Sequence, residues 1–486
     1  MSHGGAGLSR RAFLGAGATL GGIGLMAPIR TGTAGAPAPF NPTHQVTLTA
    51  GETELKLLGP GTPSTRILAY DGTPFRTLRM PRGARLQATF VNGLDAGSTL
   101  HFHGIRMPNE FDGVPTLTQP LVQPGGRFVY QLPLDDPGTF FFHPHCDEVG
   151  QVGKGLAGVL IVEDPRDPAF DAEHVLCLKD WRLAEDGSFL PLSEPGGASK
   201  AGTFGATRTV NGAAALDLTA PAGGHARLRV LNLDSTRVMD IGAEGGEVWL
   251  IAVDGHALKP VRLDDLPDGI WRMGPAQRID LDIRMPSDGS AVTLGDYRAA
   301  DIYRFATLKG EGRVARARKG PLALPAAELP RPDMKKAARF SFTLQQATDQ
   351  AVTQIALPAD DPLAKALIDS MCVGSTTYWG IQSESWPTGS RRNLPPPLAR
   401  MTAGGSYVVE INNGTRFPHP VHLHGHAFEV RSSSAGRLPR HAADTVLVQP
   451  DEVVQVAFVA APGDWVFHCH ILEHMETGMM GWFRIV

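Results

Sequence analysis

The sequence predicts an all-β protein built from consecutive sandwiches, on the strength of its turn chemistry, its strand periodicity and its internal repetition. With 56 glycines and 39 prolines in 486 residues, turns are frequent and long helices few. Strand signals alternate with period two: Leu86, Ala88 and Phe90 before an Asn-Gly turn, then Phe128, Tyr130 and Leu132, then Ile279, Leu281 and Ile283 between charged partners. The repeat is direct. Asn92-Gly93 precedes His101-x-His103-Gly104 by the spacing at which Asn413-Gly414 precedes His422-x-His424-Gly425, and the runs Pro137–His145 and Pro462–His470 correspond position for position. A middle copy is signalled by Arg227-Leu228-Arg229-Val230-Leu231-Asn232, with Ile241-Gly242-Ala243 where the other copies carry a histidine pair.

At about 150 residues per domain the length predicts about three, in agreement with the three units. Boundaries fall near Asp164-Pro165 and within the Pro- and Arg/Lys-rich stretch Lys309–Lys336, dividing the chain into 37–165, 166–322 and 323–486. The second stretch reads as a solvated linker, since its charges alternate with Ala and Pro and lack aromatic interleaving.

Residues 1–36 read as an export signal. Ser9-Arg10-Arg11-Ala12-Phe13-Leu14 resembles a twin-arginine motif, Ala12 to Ala27 is a mild apolar region, and Ala34-Gly35-Ala36 is a cleavage site. A periplasmic or secreted protein handled by the twin-arginine export machinery is therefore expected. No apolar run approaches the ~20 residues of a membrane span, so stable membrane insertion is not expected. Removal of the signal takes Arg10, Arg11 and Arg30 and no acid, moving the formal charge from −4 to −7 and arguing against a nucleic-acid partner.

The chemistry lies in the histidines. Ten of 17 fall into four motifs: His101-x-His103, His143-Pro144-His145, His419-Pro420-Val421-His422-Leu423-His424, and His468-Cys469-His470 with His474 following. Satisfied core or surface histidines would scatter. On a strand, His468 and His470 point to one face and Cys469 to the other, so one strand can serve two metal centres. Cys469, His474 and Met479 supply a thiolate, an imidazole and a thioether of the kind a blue-copper site uses.

With these four motifs the sequence closely resembles the multicopper oxidases, the family of laccases, bacterial cuprous oxidases and bilirubin oxidases, over nearly the whole mature chain. The resemblance implies three cupredoxin-like Greek-key β-barrels and four coppers per chain: one type 1, one type 2 and two type 3. It assigns His419, Cys469, His474 and Met479 to type 1, His101 and His422 to type 2, and His103, His143, His145, His424, His468 and His470 to the type 3 pair. The middle unit is expected to bind none. A small-molecule reductant would give up single electrons at the type 1 site through the exposed edge of His419. Cys469 and its histidine neighbours would carry them to the cluster, where dioxygen becomes water. Asp112 matches the acid the family places near the cluster, as a proton relay or water-orienting group, against the alternative of an Asp-Gly turn residue. A second acid usual after the type 1 histidine is absent: Met475 stands there and Glu476 one place later. Phe102 replaces a more usual tryptophan.

The reading is a laccase-like oxidase of phenols or aromatic amines. The alternative is a cuprous or other metal-ion oxidase, disfavoured because the 13 methionines form no rich segment and only Met475, Met479 and Met480 group. A copper-free exported scaffold conflicts with the filled ligand positions, and nitrite reduction with the full three-copper set. His256, His426 and His441 lie outside the motifs and are expected to be satisfied or exposed. Of the remaining cysteines, Cys146, Cys177 and Cys372 allow at most one disulfide, and Cys146 is expected to be buried and inert, turned from the metal face by strand alternation.

Overall fold

A strand ending in asparagine begins the same construction three times in this protein. The computed structural model describes residues 40–347, 377–382, 384–386, 394–436 and 438–486, so the expected export signal and Cys372 lie outside the described residues. Strands between His44 and Glu163 form two four-stranded sheets, those between Ala172 and Arg313 a six- and a five-stranded sheet, and those between Ala338 and Ile485 again six and five. The opening strands His44–Leu55, Ala172–Trp181 and Ala338–Gln346 run parallel to Ala84–Asn92, His225–Asn232 and Ser406–Asn413. These pair antiparallel with Arg127–Leu134, Arg278–Arg284 and Val453–Val459. The order of pairing is identical in the middle and last regions and is abbreviated in the first. The repeat seen in two thirds of the sequence thus extends to the third at the level of topology. Helices among the described residues are single turns.

The strand-ending asparagines explain why Asn recurs in the sequence. Each is buried, and each side-chain amide donates across the following loop: Asn92 to the Ala96 and Val122 carbonyls at 2.8 and 2.9 Å, Asn232 to Arg237 at 2.8 Å, Asn413 to Phe417 at 2.7 Å and Val448 at 3.1 Å. Each Oδ1 accepts a backbone N–H two residues on, from Leu94, Asp234 and Thr415. In the last region this loop leads straight into the strand His419–Leu423.

Alternation holds where it was read, with one difference. Ala84–Asn92 buries Leu86, Ala88 and Phe90 while Arg85, Gln87 and Thr89 face outward. Arg278–Arg284 buries Ile279, Leu281 and Ile283, but its charged partners Arg278, Asp280 and Asp282 are buried too. The cause is a neighbour on the polar face. Thr139, on the strand Gly138–His143, donates to Asp280 at 2.8 Å, and Arg227 and Arg229 pair with the same carboxylate at 2.6 and 3.2 Å. A strand that reads as half-exposed is in fact covered by a segment well over a hundred residues away.

Asn413→Ala would leave buried carbonyls and the Thr415 N–H without partners, at a cost of about 2 kcal/mol. A thermal melt should show the midpoint falling by several degrees, with Asn413→Asp, which sets a carboxylate oxygen against the same carbonyls, falling at least as far.

Candidate metal centre

The four histidine motifs start on or run off four short strands, with His145, His424 and His470 just past the strand ends and His474 on the helix Leu472–Glu476, and register brings them together. His101–His103 pairs with Gly138–His143 so that His101 faces His143. His419–Leu423 pairs with Gly463–Cys469 so that His422 faces His468 and Val421 faces Cys469. The predicted alternation at His468-Cys469-His470 is realised. His468 groups with His145 and His424, His470 with His103 and His143, and Cys469 with His419 and His474, each set of ligand atoms lying within 4.8 Å of one another. His101, His422 and His424 form a further grouping. Thus twelve sequence-predicted metal residues are buried, eleven of them in these groupings, with Met479 buried beside Cys469, whose N–H donates to the Met479 carbonyl at 3.0 Å. None of the groupings draws on residues 166–322.

Hydrogen bonding at one ring nitrogen prepares the other. Backbone carbonyls can only accept, so the Nδ1 atoms of His101, His143, His422 and His468 must carry protons for Asp112, Pro144, Asp444 and Cys469 at 2.7 to 2.8 Å. Each neutral ring then presents Nε2 as a lone pair, and the Nε2 atoms of His101, His103, His143, His145 and His422 are buried without a partner. His424 donates from Nδ1 to Asp112 Oδ2 at 2.9 Å, which leaves its Nε2 facing that of His468 at 3.1 Å. Two lone pairs at that distance repel unless a cation lies between them. Burial and the neighbouring imidazoles push the pKa of His103, His143, His145, His424, His468 and His470 well below the usual histidine value, so a proton is a poor candidate for that cation.

The Cys469 set has the same logic with the nitrogens exchanged. His474 Nε2 donates to the Lys200 carbonyl at 2.7 Å, and His419 Nε2 donates to Thr415 Oγ1 at 2.8 Å, whose own hydroxyl serves Asn413 Oδ1. Their Nδ1 atoms therefore meet as lone pairs at 3.1 Å, with Cys469 Sγ at 3.5 and 3.8 Å. Burial raises the Cys469 thiol's pKa, so a bound cation is needed to hold the thiolate. Softness and geometry of these donors fit copper.

Three carboxylates and one guanidinium surround the imidazoles. Asp112 ends the turn Asn109–Phe111, with Gly113 at φ 87°, so the turn role and the site role coexist. Burial raises its pKa, partly offset by His101, and its Oδ1 lies 3.4 Å from His101 Nδ1 with no closer partner. Asp444 lies 3.0 Å from His103 Nδ1 and is gripped by Arg278 at 2.6 Å. Burial would raise its pKa, but Arg278 and His103 outweigh that and hold it well below the carboxylate range. Glu148 lies 3.4 and 3.5 Å from the Nδ1 atoms of His145 and His143, its oxygens otherwise unpartnered. Burial, then Glu476 and Asp147, push its pKa well up. Glu476 itself receives the Val149 N–H at 3.0 Å and has its pKa raised to about 8 by burial. Sequence reading missed Glu148, Asp444 and Arg278. An acid three places after His145 was a legible signal for Glu148, while no spacing announced the other two.

Three expectations need correction. His419 has no exposed edge: it is fully buried, its Nε2 is bonded to Thr415, and Trp379 packs edge-on at 5.2 Å. Cys146 is disulfide-bonded rather than an inert thiol, and the strand Gly138–His143 ends before it, so alternation does not reach it. Cys177 and Cys469 are free. His256 is neither satisfied nor exposed, being buried with both ring nitrogens unpartnered. His426 is satisfied, bonded to the His424 carbonyl and the Ala461 N–H at 2.8 Å each, and His441 Nδ1 donates to the Pro439 carbonyl at 2.7 Å.

Comparison with known proteins agrees with this geometry. Residues 53–167 and 373–486 each match a multicopper oxidase family model. The crystal structure of a multi-copper oxidase from Pseudomonas thermotolerans is 34% identical, with a TM-score of 0.78 over 92% of this chain and 100% of that one. Multicopper oxidase MmcO of Mycobacterium tuberculosis is 27% identical over 97% of this chain and 95% of its own. An iron transport multicopper oxidase of Epichloe festucae is 29% identical over 84% and 71%. Relatives named laccase and copper resistance protein also match. The chain belongs to the multicopper oxidase family, a class of copper-binding oxidoreductases with the cupredoxin fold.

The buried His256 generates a pH prediction, since burial lowers its pKa to about 4. The unfolded chain binds this proton near pH 6.5 and the folded one does not, so the contribution is complete above pH 6.5. It is lost as pH falls toward 4, by about 3 kcal/mol. Melting midpoints measured across that range should fall less steeply with acid in His256→Leu than in the parent.

Proposed function

We propose that the chain is an exported laccase-like oxidase that draws single electrons from phenols or aromatic amines and reduces dioxygen to water. The observation that supports this best is Cys469, which joins the thiol-containing set to the histidine cluster through one peptide bond on either side. His419, Cys469, His474 and Met479 would hold the type 1 copper, His101 and His422 the type 2, and His103, His143, His145, His424, His468 and His470 the type 3 pair. Copper held by these ligands cycles between cupric and cuprous states and so transfers one electron at a time. The three sheet pairs would correspond to domains 37–165, 166–322 and 323–486, with the cluster shared by the first and last. The disulfide at Cys146 supports an oxidising compartment and hence twin-arginine export. No helix among the described residues is long and apolar enough to cross a membrane.

The protein's own groups orient ligands and handle protons. Asp112 uses its carbonyl on His101 and Oδ2 on His424, and Oδ1 remains free to accept a proton bound for the cluster. Glu148 joins Asp112 and Asp444 against the ligand imidazoles, at 3.4 Å from His145 and 3.5 Å from His143, while Glu476 Oε1 accepts the Val149 N–H. A metal-ion oxidase is the second reading, favoured by the relatives named for iron transport and copper resistance. Kinetics with a phenol, an aromatic diamine and cuprous ion decide between them.

The copper-loaded protein should be blue through its thiolate bond. Cys469→Ser should remove the colour and the oxidase activity, and a colourless parent with full copper content would refute the assignment. His101→Ala should lose most oxygen consumption while keeping the blue band. In Asp112→Asn, stopped-flow measurements should show normal reduction of the blue site but slower reoxidation by dioxygen, most at high pH where protons are scarce.

A further inference from the structure

With His419 and His474 both buried, electrons must enter through whatever surface lies against the type 1 set. A cavity bordered by the neighbours of His419 and Cys469 does so. It has a volume of about 170 Å³ and is floored by Pro418 and Ile471. Pro418 is the residue before His419, and the Ile471 N–H points at Cys469 Sγ at 3.4 Å. Ala201, on its wall, follows Lys200, whose carbonyl takes the His474 Nε2 proton at 2.7 Å. His419 is thus one residue, Cys469 one hydrogen bond, and His474 one hydrogen bond and one residue from this space. The same wall is fixed to the ligand-bearing helix Leu472–Glu476, because Glu473 accepts from Thr203 Oγ1 at 2.7 Å. A larger cleft, about 860 Å³ and lined by Asp95, Asp147 and Lys154, contains no neighbour of these ligands.

The lining has a definite chemistry. Arg208, Arg237 and Arg298 face the cavity with a single acid, Asp296. That acid is spent on the walls: its Oδ2 pairs with Arg208, and its Oδ1 accepts the N–H groups of Asp240 and Arg298 at 2.8 and 3.1 Å. Arg237 is held by Asp180 at 2.7 Å and by the Gly205 carbonyl at 2.9 Å, whereas Arg208 Nε has no hydrogen-bond partner and the Arg298 guanidinium makes only a long 3.4 Å contact to Asp240. Phe204, 41% exposed, presents an aromatic face beneath Arg237 at 4.9 Å. Guanidinium donors beside an aromatic wall suit a planar anion and repel a metal cation.

We propose that this cavity is the reductant site and that it takes a single-ring phenol carrying a carboxylate. The inference rests on the laccase-like reading and deepens it. Arg298 and Arg208 bind the carboxylate, the part of the Phe204 ring not covered by Arg237 packs against the phenol, and the hydroxyl lies toward Pro418 and Ile471. Each phenol loses its O–H proton to water and one electron to the type 1 site, leaving a phenoxyl radical. Four such events supply the four electrons that, with four protons, convert one dioxygen to two waters.

The test compares 4-hydroxy-3-methoxybenzoate with its methyl ester on the copper-loaded protein, alongside calorimetric titration with benzoate, which is not oxidised. The acid should exceed the ester in kcat/KM by about ten-fold, as expected for one charge-assisted contact. Benzoate should bind at one site, and Arg298→Gln should abolish both the preference and the binding. Arg208→Gln should do likewise. If that buried variant fails to fold, the more exposed Arg298→Gln carries the test. Equal use of acid and ester would overturn the carboxylate site and leave the laccase reading standing. Oxidation of cuprous ion with neither phenol used would overturn both.

Discussion

Everything at this centre depends on which ring nitrogen of each histidine carries the proton. Bringing ten imidazoles together in a dry interior is unfavourable if any of them is charged, and unspecific if their tautomers are free. The fold resolves this by giving the Nδ1–H groups of His101, His143, His422 and His468 backbone carbonyls that cannot donate in return, and those of His103 and His424 carboxylates. Carbonyls of this kind are strong constraints because their positions are set by the strands themselves. The rings are therefore aimed before any metal arrives, and the lone pairs left facing each other are what the metal relieves.

Much of this was legible in the sequence because the information is local. HxH on a strand, with period two, predicts two ligands on one face, and the inserted Cys469 predicts a second site on the other. The strand-ending Asn residues and their spacing to the histidines made the repeat visible. The type of each element followed from alternation at Leu86, Ala88 and Phe90, where a neighbour covers only one face.

What escaped reading is long-range. Arg278 sits on a strand whose pattern predicts an outward charge, yet it is fully buried and grips Asp444 across 166 positions of sequence. The burial of His419 depends on Trp379 and on Thr415, and nothing in His419-Pro420-Val421-His422 reveals that cover. Cys146 illustrates the same limit differently. Alternation was applied beyond the end of the strand at His143, and the true constraint was a covalent bond.

The middle region shows why a unit without metal residues persists in such a chain. It supplies Arg278 to hold the Asp444 carboxylate that orients His103. It also supplies Lys200 to receive the His474 proton and Thr203 to bind Glu473, so both metal sets depend on it. Arg208, Arg237 and Arg298 lie in the same region and line the cavity against the type 1 set, whereas Asp112, Asp444 and Glu148 stand against the histidine cluster. At the histidine cluster Arg278 neutralises Asp444, while burial raises the pKa of Asp112 and Glu148 and so favours their protonated forms, which suits proton handling there. A middle region that contributes no residue to the histidine groupings thereby fixes the groups that aim both sets.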